Sequence, residues 1–259
     1  MKRLLPLLFL IIVACSAGGA AAHFQVLLPH TDVVGPDDDR GIRLELVFTH
    51  PMENGPVMDM GPPRRFGVMV GEEPTDLLPQ LQPLSVDGKH AFRAEYRFRQ
   101  PGDHVFYLEP APYWEPAEQK MLIHYTKVVV DVMGGGGGWD RMVGLPVEIE
   151  PLVRPYALWA GNAFRGIVRH NGKPVPFAEV EVEFLNRDGK VQPPNDALVT
   201  QVVKADAHGV FSYTIPWAGW WGFAALVDAD EKMPNPAGEP VEVELGGLIW
   251  VQAVELPKR

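Results

Sequence analysis

Ile42-Arg43-Leu44-Glu45-Leu46-Val47-Phe48 puts Ile42, Leu44, Leu46 and Phe48 on one side of an extended chain, with Arg43 and Glu45 on the other. Successive side chains of a strand point to opposite faces, so an apolar residue at every second position marks a half-buried strand. The pattern recurs from Ala91 to Arg99, where Phe92, Ala94, Tyr96 and Phe98 alternate with Arg93, Glu95, Arg97 and Arg99. It returns where Val180, Val182 and Phe184 alternate with Glu181 and Glu183. Between such runs lie 26 glycines and 26 prolines, frequent enough to break any long helix. Many short strands with frequent turns predict an all-β chain of two Ig-like or transthyretin-like antiparallel β-sandwich domains.

The predicted boundary lies near residue 150. Val147-Glu148-Ile149-Glu150-Pro151-Leu152-Val153-Arg154-Pro155 reads as an extended segment bracketed by prolines, and a fresh strand starts at Asn162. The expected division is a first sandwich over 23–150, carrying any metal site, and an Ig-like second sandwich over 151–259.

Residues 1–22 read as a secretory signal peptide. Met1-Lys2-Arg3 is basic, Leu4 to Val13 is apolar and Ala14 to Ala22 is mostly small. The apolar run is too short for a permanent transmembrane helix. Cutting after Ala20-Ala21-Ala22 makes His23 the first residue. Alternatively, Ile12-Val13-Ala14-Cys15 resembles a lipobox, and Cys15 then carries a lipid anchor. Either way the mature chain lacks a disulfide, since Cys15 is its single cysteine. The formal charge is -10, and losing Lys2 and Arg3 lowers it by two more. Such a chain is a poor nucleic-acid binder, because phosphate neutralisation needs Lys and Arg.

The common catalytic signatures are missing: no G-x-S-x-G, no H-E-x-x-H and no Walker loop occurs. Gly134 to Gly138 runs into Trp139-Asp140 and reads as a hairpin tip; Asp37-Asp38-Asp39 lacks the spacing of a calcium loop. Pro216-Trp217-Ala218-Gly219-Trp220-Trp221-Gly222-Phe223 reads as sandwich core, with a docking surface as the alternative; Tyr113-Trp114-Glu115-Pro116 reads the same way, in a proline-rich loop.

The histidines are more informative. His30, His90, His104, His170 and His208 flank turns or start strands and read as surface or structural residues. His50 continues the inward parity of Ile42 to Phe48, and His124 shares parity with Leu122, Val128, Val130 and Val132. A lone inward histidine is usually packed in the core, but two at strand ends of one domain are candidate ligands. His23 at a mature N-terminus offers its α-amine and Nδ1 to one metal in a six-membered ring, a donor set suited to Ni²⁺, Co²⁺ and Cu²⁺. Met58 and Met60 share a side of an extended segment and are either thioether ligands or core filler. Glu53 is a candidate carboxylate ligand.

Several strings together carry a resemblance. They are Ala22-His23-Phe24, Phe48-Thr49-His50-Pro51-Met52-Glu53, Pro101-Gly102-Asp103, Tyr113-Trp114-Glu115-Pro116, Ile123-His124-Tyr125-Thr126-Lys127, Glu148-Ile149-Glu150-Pro151-Leu152, Gly219-Trp220-Trp221-Gly222-Phe223 and Trp250-Val251. The mature chain resembles a family of periplasmic proteins labelled a domain of unknown function, whose members are described as NikK-like soluble components of energy-coupling-factor nickel or cobalt transporters. The resemblance implies a periplasmic protein that binds nickel or cobalt and delivers it to a membrane transporter, without catalysis. It bears on His23, His50 and His124, which fall inside the matched strings, and it implies the cut before His23. A copper-handling protein is the nearest alternative, and a structural or adhesive β-sandwich module is the alternative of another class. An oxidative enzyme built on an N-terminal histidine is a weaker one.

Overall fold

The computed structural model describes residues 22–257, so Cys15 and all of the signal segment but Ala22 lie outside the described residues. The chain runs through β1 (Phe24–Pro29), β2 (Val33–Val34), β3 (Gly41–Thr49), β4 (Val57–Met58), β5 (Arg65–Val70), β6 (Glu73–Asp76), β7 (Gln82–Val86) and β8 (Lys89–Arg97). It continues through β9 (Gly102–Glu109), β10 (Tyr113–Glu115), β11 (Lys120–Val132), β12 (Val147–Pro151), β13 (Leu158–Trp159), β14 (Ala163–His170) and β15 (Lys173–Pro174). It ends with β16 (Glu179–Phe184), β17 (Gln201–Lys204), β18 (Val210–Thr214), β19 (Gly219–Asp228), β20 (Met233–Pro234), β21 (Pro240–Val241) and β22 (Val243–Val254). Among the described residues the only helical turns are two short 3-10 segments, and no helix is long and apolar enough to cross a membrane.

Two sandwiches form, as the alternation predicts, and they share their middle layer. An 11-stranded sheet runs β17-β16-β19-β22-β11-β9-β5-β6, with β2, β10 and β13 attached. A sheet of β1-β3-β8-β7, with β4 on β3, covers one part of it. A third sheet, β12-β14-β15 with β18 on β14, packs against another part. The first core holds Phe24, Ile42, Leu44, Leu46, Phe48, Phe106, Leu122, Val128, Val130, Leu248 and Trp250. The second holds Ile149, Phe164, Val180, Val182, Phe211, Trp221, Phe223, Ile249 and Val251. Leu248 and Trp250 serve one core, Ile249 and Val251 the other. This explains the unbroken apolar run in β22, since a strand covered on both faces loses its alternation.

β11 is covered on both faces too. Its outer face meets Val143, Leu145, Val147 and Tyr156 in a third apolar cluster.

The segment around residue 150, expected to be a linker, is a strand. β12 pairs with β14, with Ile149 opposite Val168, so it belongs to the second sandwich. The two sandwiches meet along β11 and β22, which pair in parallel from Met121 opposite Val243 to Val128 opposite Trp250. This seam departs from the antiparallel pattern, and the period-two signal cannot reveal it because parallel and antiparallel strands share that period. From this seam β22 also reaches β1 of the covering sheet: the Trp250 ring stands 5.9 Å from that of Phe24, and Trp250 Nε1 donates to the Gln25 carbonyl at 3.0 Å. The aromatic run near residue 220 is core at its centre: Trp221 and Phe223 are buried.

Candidate metal centre

The site gathers where the first strands of the chain meet the seam. β1 and β3 pair antiparallel with Phe24 opposite Thr49, and this register brings His23 beside His50. Their ring centroids lie 4.6 Å apart, nearly edge to face. His124 stands on β11 opposite Gly246 of β22. A Cβ on Gly246 would come within 2.6 Å of the His124 ring, so the missing side chain makes room for that ring. Phe48 joins the group, its centroid 5.8 Å from His23 and 5.7 Å from His124, and Tyr113 flanks Phe48 at 5.1 Å.

Each of these histidines faces a carboxylate. His23 Nε2 lies 2.8 Å from Glu115 Oε2, His50 Nδ1 3.3 Å from Glu53 Oε2, and His124 Nε2 3.4 Å from Glu244 Oε1. Glu115 is on β10, a strand paired to β11 where the sequence reading placed a loop. Glu244 is on β22, and Lys120 Nζ approaches it at 3.8 Å.

The electrostatics favour a neutral imidazole at His23. Burial and the neighbouring His50 push the His23 pKa down to about 4, with His124 adding to this and Glu115 opposing it. At neutral pH His23 is therefore unprotonated, the form that ligates metal. Burial alone would raise Glu244, but the hydrogen bond and proximity of His124, with Lys120, hold it below the usual carboxylate range. Burial and Glu244 keep Glu118 above that range.

The remaining predicted ligands sit differently. Met58 and Met60 are buried in the first core, as filler residues are. Met60 Sδ lies 3.7 Å from Gln25 Nε2, and Met60 shares the wall of a small cavity with His124, Phe48 and Tyr113. Glu53 is half-exposed beside His50. Among the described residues, no three His, Cys, Asp or Glu side chains already converge on one ion position. The imidazole nitrogens present suit a borderline divalent ion such as Ni²⁺ or Cu²⁺. His104, read as a surface or structural residue, is structural: it is fully buried between Tyr96 and Phe98, because its strand β9 is covered on both faces.

A family profile described as a domain of unknown function, DUF4198, matches residues 20–229. The chain belongs to this family. The DUF4198 match includes His23, His50, Glu53, Glu115 and His124 and ends before β22, which supplies Glu244 and Gly246. Its description names a family and no activity. No curated protein matches the chain. Among solved structures, the adhesin InvE of Yersinia pseudotuberculosis is similar at 13% identity and a TM-score of 0.26, over 89% of this chain and 61% of that one. The chain thus spans about three fifths of that adhesin's length. Escherichia coli alpha-2-macroglobulin, over its MG0-NIE-MG1 domains, is similar at 10% identity and a TM-score of 0.24, over 90% of this chain and 72% of that one. At these scores neither likeness carries a functional inference.

Proposed function

We propose that this protein is an exported, periplasmic transition-metal carrier, with nickel or cobalt as its cargo, that passes the ion to a membrane transporter of the energy-coupling-factor type. The observation that carries the reading is that residues far apart in sequence come together: the His23 ring stands against His50, and the Phe48 ring lies beside both His23 and His124. A packed core has no need of polar rings clustered at a strand end. Imidazoles oriented by carboxylates are donors that suit a borderline divalent ion. Export rests on the basic, apolar and small segments before His23. The cargo is bound and released without bond chemistry. Copper is the second reading, favoured by Met60 on the same cavity wall as His124, since thioethers suit Cu(I).

Calorimetry of the chain beginning at His23, titrated with Ni²⁺, Co²⁺ and Cu²⁺, tests this. His50→Ala, His124→Ala and a variant with one Met before His23 should each bind at least about tenfold more weakly, a loss near 1.4 kcal/mol. Tight binding of Cu⁺ under reducing conditions that Met60→Ala weakens would move the reading to copper handling; tighter Cu²⁺ than Ni²⁺ would not, because nitrogen and oxygen sites follow that order in general. Equal binding by all variants places any site elsewhere, and the reading of a structural β-sandwich module takes over.

A further inference from the structure

We propose that Glu115, Glu53 and Glu244 are positioning residues that fix which nitrogen each histidine turns to the metal: Nδ1 of His23, Nε2 of His50 and Nδ1 of His124. The inference rests on the metal reading above and deepens it to donor atoms. A carboxylate has no proton to give, so the ring nitrogen facing it carries the hydrogen and is spent as a ligand. Glu115 faces Nε2 of His23, Glu53 faces Nδ1 of His50, and Glu244 faces Nε2 of His124. The opposite nitrogen of each ring then keeps its lone pair.

Two observations agree with this assignment. Nδ1 of His124 is buried and has no hydrogen-bond partner, although His124 is 2% exposed. A buried acceptor without a partner is costly, and a ligand is one way to satisfy it. Nδ1 of His23 is also the nitrogen that closes a six-membered chelate with the α-amine of a terminal His23; Nε2 lies on the far side of the ring and cannot. The Glu115 contact therefore selects the tautomer that a terminal chelate requires. Partners of this kind orient the ring and raise its basicity toward the metal. On this reading Glu53 holds His50 in place and is not itself a ligand.

The test is made on the chain beginning at His23, which contains every described strand. Long-range proton–nitrogen NMR of ¹⁵N-histidine protein at pH 8 reports each tautomer without metal. The expected result is the Nε2–H form for His23 and His124 and the Nδ1–H form for His50. Glu115→Gln and Glu244→Gln should release the tautomer of their own histidine and leave the other two unchanged. Each should weaken Ni²⁺ binding by about 10- to 100-fold, while the exposed Glu73→Gln keeps the parent affinity. An opposite tautomer at any of the three rings overturns the proposal, as does parent-like Ni²⁺ affinity in both variants. In that last case the metal reading survives. If the parent binds none of Ni²⁺, Co²⁺ or Cu²⁺, the metal reading falls, and the tautomers still decide whether the carboxylates set the rings.

Discussion

At the scale of single residues, Gly246 matters for what it lacks. The His124 ring occupies the space its side chain would fill, with the ring Cδ2 only 2.6 Å from the position of a Cβ. The ring is 2% exposed, with Phe48 against it, so it has little room to yield. Gly246→Ala is expected to lower stability by about 1–3 kcal/mol, the usual cost of overpacking, and to displace a proposed metal donor. Urea denaturation and Ni²⁺ titration of the same variant check both. Parent-like values in both would mean that the ring moves freely. The histidines themselves were legible from sequence, because His50 and His124 fall on apolar parities that could be counted. Their carboxylates were not. Glu115 sat between aromatic and proline residues that masked a strand, and Glu244 is 120 positions from His124 along the chain.

At the scale of elements, the turn that follows β3 shows how the second sandwich holds the first. It carries His50 and Glu53, and residues at the end of β16 grip its backbone. Met52 N donates to Glu183 Oε2 at 3.1 Å, Asn186 Nδ2 donates to the Met52 carbonyl at 3.0 Å, and Asn186 N donates to the Pro51 carbonyl at 3.0 Å. Thr200 donates to the other oxygen of Glu183. Burial pushes the Glu183 pKa up to about 8, from an ordinary 4.5. A carboxyl raised on folding stabilises fully below its unfolded pKa, and that contribution is lost as pH rises through the folded value. The loss runs from about pH 4.5 to 8. His23 acts in the opposite sense, its contribution complete above 6.5 and lost toward 4. Metal-free protein should therefore lose stability between pH 6.5 and 8.5, and Glu183→Gln should flatten that fall by on the order of 2 kcal/mol. Urea midpoints with EDTA at both pH values measure it; an unchanged slope would show that Glu183 does not titrate in this range. The alternation of Val180, Val182 and Phe184 predicts β16 itself, while the grip depends on a contact 131 positions away that no local pattern encodes.

At the scale of the whole molecule, the sandwiches were legible and their union was not. Strand alternation reports which faces are buried, and it carries no information on which strand lies beside which. The proline-bracketed stretch near residue 150 is extended because β12 is a sheet strand, and within it Glu148 accepts from the buried Lys127 of β11 at 3.0 Å. Lys127 of β11 and Glu148 of β12 thus meet as a buried ion pair, and removing one partner of such a pair leaves an uncompensated buried charge. The second sandwich alone would lose β11 from the side of β22, and Leu248 and Trp250 would face water in place of the first core. A fragment of residues 151–259 is therefore expected to be unstable, with poorly dispersed amide NMR signals, while the chain from His23 folds. Sharp, dispersed signals from that fragment would show that the shared sheet is a docking surface between two self-sufficient units.

The parallel seam also sets an order of events during synthesis. β22 follows every other described strand in the chain, and it enters the middle of the largest sheet, between β19 and β11. Until residues 243–254 have left the ribosome, β11 lacks a neighbour and His124 lacks both Glu244 and the space beside Gly246. A chain cut before residue 243 keeps His23, His50 and His124 and lacks the Glu244 and Gly246 that β22 sets beside His124. Synthesis of residues 243–254, more than the presence of the three histidines, is what would assemble the proposed site.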